Sequence, residues 1–117
     1  MDTSALLKKV IAARESWCEA GKYRFKVRRP TEMELIRMRR GDHVEIGLDA
    51  IQRCVVGWER VTEADIVTSG GSEEVVFDAL LYGEWIADHP ELWPPISEHL
   101  YAAIQAHAET QETERKN

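Results

Sequence analysis

Three features of the sequence predict an α+β fold: one mostly α-helical domain of about five helices with a small two- or three-stranded antiparallel sheet. First, residues 22–29 alternate strictly, with Tyr23, Phe25 and Val27 on one side and Lys22, Arg24, Lys26 and Arg28 on the other. That two-residue period belongs to a half-buried antiparallel strand. Second, Val44, Leu48, Ile51, Val55 and Trp58 recur every three or four residues, the stripe of an α-helix. Third, 117 residues can bury one modest core but not two.

The chain opens with a predicted helix over residues 3–20. Thr3 or Ser4 can cap it, Leu6, Leu7, Val10, Ile11, Ala13 and Trp17 form a broad apolar face, and Gly21 stops it. Such a helix packs on the core; the alternative is a helix that docks onto a partner protein. The strand over residues 22–29 follows, its basic outer face suited to blunting a sheet edge. Pro30 ends it. Thr31-Glu32-Met33-Glu34 then matches a capping box, in which Thr serves a free N–H and Glu reaches back to the Thr N–H. A short helix with Met33 and Ile36 on one side runs to Gly41, and Asp42 can cap the central helix of residues 43–56. Gly57 stands where that stripe ends, so it reads as a C-terminal cap with Trp58 folding back as an aromatic plug.

Further on, Ala64–Thr68 and Glu74–Phe77 are short β-branched runs around Ser69-Gly70-Gly71-Ser72, which predicts a hairpin. Asp78 caps a helix, Phe77 staples onto Tyr82, and Leu80, Leu81, Trp85 and Ile86 face inward. His89-Pro90 ends that helix, Pro94-Pro95 breaks the chain, and Pro95 suits the first turn of the next helix. Ile96, Leu100, Ala103, Ile104 and His107 stripe the last helix. Residues 109–117 are all polar and are expected to fray. The organisation is an N-terminal helix (1–21), a core (22–108) and a tail (109–117).

Composition narrows the function. With 44% hydrophobic and 31% charged residues the chain is globular, not disordered. No apolar run approaches the roughly 18–20 residues of a membrane span, and no apolar leader stands at the N-terminus. The net charge of −6 hides a polarity: residues 22–40 carry eight basic and two acidic side chains, residues 41–117 four and sixteen, and the first 21 balance. A chain so divided meets partners electrostatically or pairs its own halves.

Reactive constellations are missing. His99 and His107 share a helix face but lie eight residues apart, about 12 Å of rise, too far for one metal ion. His43 and His89 have no ligand at a metal-binding spacing, and no serine or cysteine sits in a nucleophile motif. Cys18 and Cys54 read as reduced, partly buried thiols. The basic residues of 22–29 interleave with aromatics, as in single-strand-binding sheets. The alternation, however, puts aromatic and basic side chains on opposite faces, and the acidic remainder repels phosphate. Neither a metal, a cofactor nor nucleic acid is expected.

One resemblance adds to this reading. Tyr23-Arg24-Phe25-Lys26-Val27-Arg28-Arg29-Pro30-Thr31-Glu32, then Val55-Val56-Gly57-Trp58-Glu59-Arg60-Val61, then Val76-Phe77-Asp78 opening a helix, resembles the tail assembly chaperones of long-tailed bacteriophages over about residues 22–105. The resemblance implies a non-catalytic protein of the host cytoplasm. It would hold the apolar tape measure protein soluble and help recruit tail tube subunits. Members are absent from finished virions, and some are made in two lengths by ribosomal frameshifting. The alternative is another small phage or prophage binding protein, an inhibitor or adaptor acting on a host protein; an unrecognised enzyme comes third.

A chaperone needs apolar anchors inside a polar rim. Trp85, Leu92 and Trp93, beside the Pro-broken segment His89–Pro95, are the candidate anchors; the competing reading has Trp93 tuck that loop onto the core. Lys22, Arg24, Lys26 and Arg28 are the candidates for orienting a partner or a second copy of the chain.

Overall fold

A computed structural model describes residues 2–116. The alternating segment forms β2 (Tyr23–Arg28), with Phe25 and Val27 fully buried. It is not an edge. β1 (Glu15–Ala20) pairs with one side and β5 (Val55–Glu59) with the other, both antiparallel, in the order β1-β2-β5.

That pairing corrects two sequence expectations. The first helix, α1, covers only Thr3–Ala12, and the second half of the predicted helix is strand β1. Gly21 does not cap a helix. With φ of +60° it is the first of two turn residues between the partners Ala20 and Tyr23, the place and conformation that a type II′ hairpin gives to glycine. The ladder satisfies the backbone of six residues and buries Cys18 and Ala20, which outweighs a helical pattern held by Trp17 alone.

Likewise the central stripe is split. Only Leu48–Cys54 is helical (α3), starting from Gly47 rather than Asp42. From Val55 onward the chain is β5, because β-branched Val55 and Val56 suit a strand and β2 offers an open ladder there. Gly57 lies opposite Lys26, where a Cβ would come within 3.2 Å of the Lys26 Cβ. The start of the predicted helix is a miniature hairpin of β3 (Arg39–Arg40) and β4 (His43–Val44), turned by Gly41 at φ +67°.

Between them, α2 (Glu32–Met38) carries the expected capping box: Glu34 N–H donates to Thr31 Oγ1 at 3.2 Å and Thr31 N–H to Glu34 Oε1 at 2.9 Å. Leu35 and Met38 face inward; Met33 and Ile36 share the solvent side. Arg28 donates to both Glu34 oxygens at 2.8 and 3.1 Å, and Arg53 adds a bond of 2.7 Å. One carboxylate thus ties α2 to β2 and α3.

The predicted hairpin after β5 does not form. A single turn, α4 (Glu63–Ile66), takes its place, and only Thr62 and Glu74 bridge. Gly70 closes the loop against Glu63, whose backbone a Cβ would meet at 2.5 Å. Beyond it α5 (Ala79–Ala87) starts as expected: Asp78 accepts from Leu81 N–H at 2.9 Å, and Phe77 packs on Tyr82 with ring centres 5.7 Å apart. Tyr82, Trp85 and Ile86 form the inward face, while Leu80, expected there, is 84% exposed.

Pro95 stands in the first turn of the last helix, as expected, and Pro94 lies in the same turn rather than breaking the chain. A 3₁₀ turn (Pro90–Leu92) leads directly into α6 (Trp93–Lys116), whose first turn needs no N–H from proline. Ile96 and Leu100 are fully buried. The polar tail expected to fray is helical through Lys116. Glu32 holds both His107 and Gln111 at 3.1 Å, and Glu112 pairs with Lys116 at 3.4 Å; Asn117 lies outside the described residues.

The core lies between the sheet and helices α3, α5 and α6. Its polar handles are matched: Tyr82 O–H donates to the Ile51 carbonyl at 2.8 Å, and the Trp58 indole N–H to that of Val75 at 2.7 Å. Among the described residues no buried side-chain polar atom lacks a partner.

Trp58 touches Phe77, Tyr82 and Trp85, with ring centres 5.2 to 6.2 Å away. Trp58→Ala is therefore predicted to cost about 3–5 kcal/mol, read as a large fall in melting temperature. An unchanged melting temperature would show that the ring supports nothing. The second prediction concerns acid. Arg28 hydrogen bonds, helped by Thr31 and Arg53, hold the Glu34 carboxyl well below the usual carboxylate range despite its burial. Its stabilisation is complete above the unfolded pKa of about 4.3 and fades as pH falls below it. Glu34→Gln should lower the melting temperature at pH 7, and the gap to the wild-type chain should narrow as pH approaches about 3. A gap independent of pH would rule out the ionic role.

Candidate partner-binding surface

Two of the apolar anchors nominated from sequence are core residues. Trp85 is 5% and Leu92 6% exposed. The Trp85 indole N–H donates to the Asp65 carbonyl at 2.9 Å, and its ring packs edge-on against Tyr23. They are corrected to structural residues, because helix α5 and the 3₁₀ turn face them onto the sheet. Trp93 is half-buried, its N–H bound to the Ile86 carbonyl at 2.6 Å. It tucks the Pro-rich segment onto the core, the competing sequence reading.

The four basic residues of the β2 region stand where the alternation put them, but each is matched within the chain. Lys22 meets Asp65 at 2.7 Å. Arg24 meets Glu59 at 3.1 Å and Glu19 at 3.5 Å, and its guanidinium lies 4.3 Å over the Trp17 ring. Lys26 meets Glu15 at 3.8 Å, and Arg28 is taken by Glu34. Glu15, Glu19 and Glu59 come from the flanking strands, and Asp65 and Glu34 from α4 and α2, so β2's central position lets both sides neutralise its outer face. Burial opposes ionisation of Asp65, but hydrogen bonds from Lys22, Thr62 and Tyr23 outweigh it and hold that carboxyl low. Tyr23 in turn is pushed up to about 12 by burial and its bond to Asp65. The signal for this pairing was in the sequence: Glu15, Trp17 and Glu19 alternate just as the basic residues do.

What the body leaves open is α1. Asp2 caps it, accepting from Ser4 N–H at 2.9 Å, yet no residue of this helix is buried. The expectation of a packed helix is overturned. Leu6, Leu7, Val10 and Ile11 are 45, 59, 44 and 43% exposed and form one apolar stripe. Lys8, Lys9 and Arg14 make no ion pair among the described residues. Beside the root of α1 a cleft of about 480 Å³ separates Ala13 and Arg14 from Ala103, Ala106 and Glu114 of α6. Residues 3–12 take no part in its lining, and the molecule is extended, measuring 56 × 41 × 21 Å along its principal axes. The radius of gyration is accordingly 16.0 Å, against about 13 Å for a compact chain of this length.

Reactive groups are few. Ser16 Oγ lies 2.7 Å from His99 Nε2, a proximity the sequence did not suggest. Burial lowers the His99 pKa, but no carboxylate of the described residues pairs with that imidazole to orient it as an activated nucleophile requires. Cys18 and Cys54 are free, buried, and pushed up in pKa by burial, the opposite of a reactive thiolate. Among the described residues no three His, Cys, Asp or Glu side chains converge as a metal site, and no helix is long and apolar enough to cross a membrane. Compared with protein-family models, curated proteins and solved structures, the chain matches none.

Proposed function

We propose that this chain is a non-catalytic assembly chaperone. In the phage setting that its sequence resemblance implies, it holds the apolar tape measure protein soluble and helps recruit tail tube subunits. The observation that supports this reading is α1: a capped amphipathic helix whose whole apolar stripe is exposed. Helices of this kind seat against the apolar face of another helix, read through anchors at i, i+3 and i+4. Moving each half-exposed aliphatic side chain fully out of water contributes on the order of 1 kcal/mol. Four of them contribute roughly 4 kcal/mol before the cost of association is met. That is weak, reversible binding, which suits a protein that must let its client go. Steering charge sits on Lys8, Lys9 and Arg14 rather than on the neutralised face of β2.

The prediction is made for co-expression with apolar helical tape measure fragments. Leu7→Asp with Val10→Asp should abolish recovery of soluble fragment and leave the melting temperature within a degree or two, since α1 buries nothing. Ser16→Ala should retain full recovery. Binding should weaken modestly with salt, and duplex DNA should not bind. Undiminished client recovery by the α1 variant would remove the basis of this reading. Tight DNA binding with a steep salt slope would replace it.

A further inference from the structure

We infer that α1 pairs with the α1 of a second copy, making the free chain a two-fold dimer that covers the client face. The inference concerns the face used in the chaperone reading, and adds what occupies it before a client arrives.

The stripe has the symmetry that self-pairing needs. Leu6 and Leu7 precede the Lys8–Lys9 bond by the same steps by which Val10 and Ile11 follow it. An antiparallel second α1 therefore sets Leu6 against Ile11 and Leu7 against Val10, and the reverse, the same patch meeting itself as a two-fold interface requires. On a helix of 3.6 residues per turn, Lys8 and Lys9 fall on the two flanks of that stripe, pointing away from the paired helix. The charges of the two helices are complementary: α1 carries unpaired lysines, whereas the end of α6 presents Glu114 at the cleft and Glu109 along the adjoining groove.

Size argues the same way. Two ten-residue helices, each about 15 Å long, cannot by themselves supply the roughly 800 Å² per partner of a stable interface. Laying each α1 against the other copy's α6 arm adds the missing area and brings Lys8 and Lys9 to Glu109 and Glu114. Small side chains on the arm, Ala103 and Ala106, let a helix approach closely. A client helix then competes with the second copy for the same stripe, so client binding and dimerisation exclude one another.

The test is sedimentation equilibrium of the full chain without client. At about 100 μM the mass should be twice 13.4 kDa. Leu7→Glu with Val10→Glu should sediment at 13.4 kDa with an unchanged circular-dichroism melt. Lys8→Glu with Lys9→Glu should raise the dissociation constant by about tenfold or more, by placing like charges together. Adding Glu109→Lys and Glu114→Lys should restore it. A wild-type chain that stays monomeric overturns the inference, as does a dimer untouched by the Leu7 and Val10 changes or a charge swap that restores nothing. With no client in the cell, any of these results leaves the client-recovery experiment to decide the chaperone reading by itself.

Discussion

Burying Phe25 and Val27 of one strand means that the backbone of that strand must be hydrogen-bonded on both edges, and the remaining architecture follows from this. A buried ladder edge with unpaired N–H and C=O groups costs more than local helix propensity gains. The segments on either side in space, residues 15–20 and 55–59, are therefore drawn into strands although both carry helical spacing. Once β1 becomes a strand, α1 is cut to ten residues and loses the length that would have carried it over the core. The exposed apolar arm is thus a consequence of how the sheet is completed.

The same pairing disposes of the chain's charge polarity. The basic side chains of β2 are flanked by Glu15 and Glu19 from β1 and Glu59 from β5, and by Glu34 and Asp65 from the helical turns beyond. Charge separated along the sequence is thereby recombined in space. Among the described residues, Lys8, Lys9 and Arg14, on α1 and its root, make no ion pair and stand beside the exposed stripe of Leu6, Leu7, Val10 and Ile11. An apolar stripe with a basic flank would suit the reversible protein binding proposed for it. It lacks the ordered nucleophile, base and orienting acid of a catalytic site.

Self-pairing and client binding on one helix, as proposed, would suit a chaperone physically. A face apolar enough to hold a client is also apolar enough to aggregate, and a symmetric pair is a closed, soluble way to cover it. Because no residue of α1 is buried, exchanging one partner for another would leave the aromatic core around Trp58 untouched.

By itself the sequence determined several features that depend on neighbours a few residues apart. The period of β2, the Thr31–Glu34 capping box, the Asp78 cap with its Phe77–Tyr82 staple, and the Ile96–Leu100 stripe of α6 are all local, and all are present. Tertiary structure decided what local pattern left ambiguous. Gly21 suits a helix end or a hairpin turn equally, and only the β1–β2 ladder chooses. Val55 through Trp58 fits one stripe as a helix and another as a strand until β2 supplies an edge. Trp85 and Leu92 are as apolar as any surface anchor, and their burial depends on where α5 and the 3₁₀ turn meet the sheet. The polar end of α6 is held by Glu32, more than seventy residues away in the chain, a contact invisible to spacing. The exposure of α1 belongs to this second group as well: an amphipathic pattern states that a helix has an apolar face, and only the packed body shows whether anything within the chain covers it.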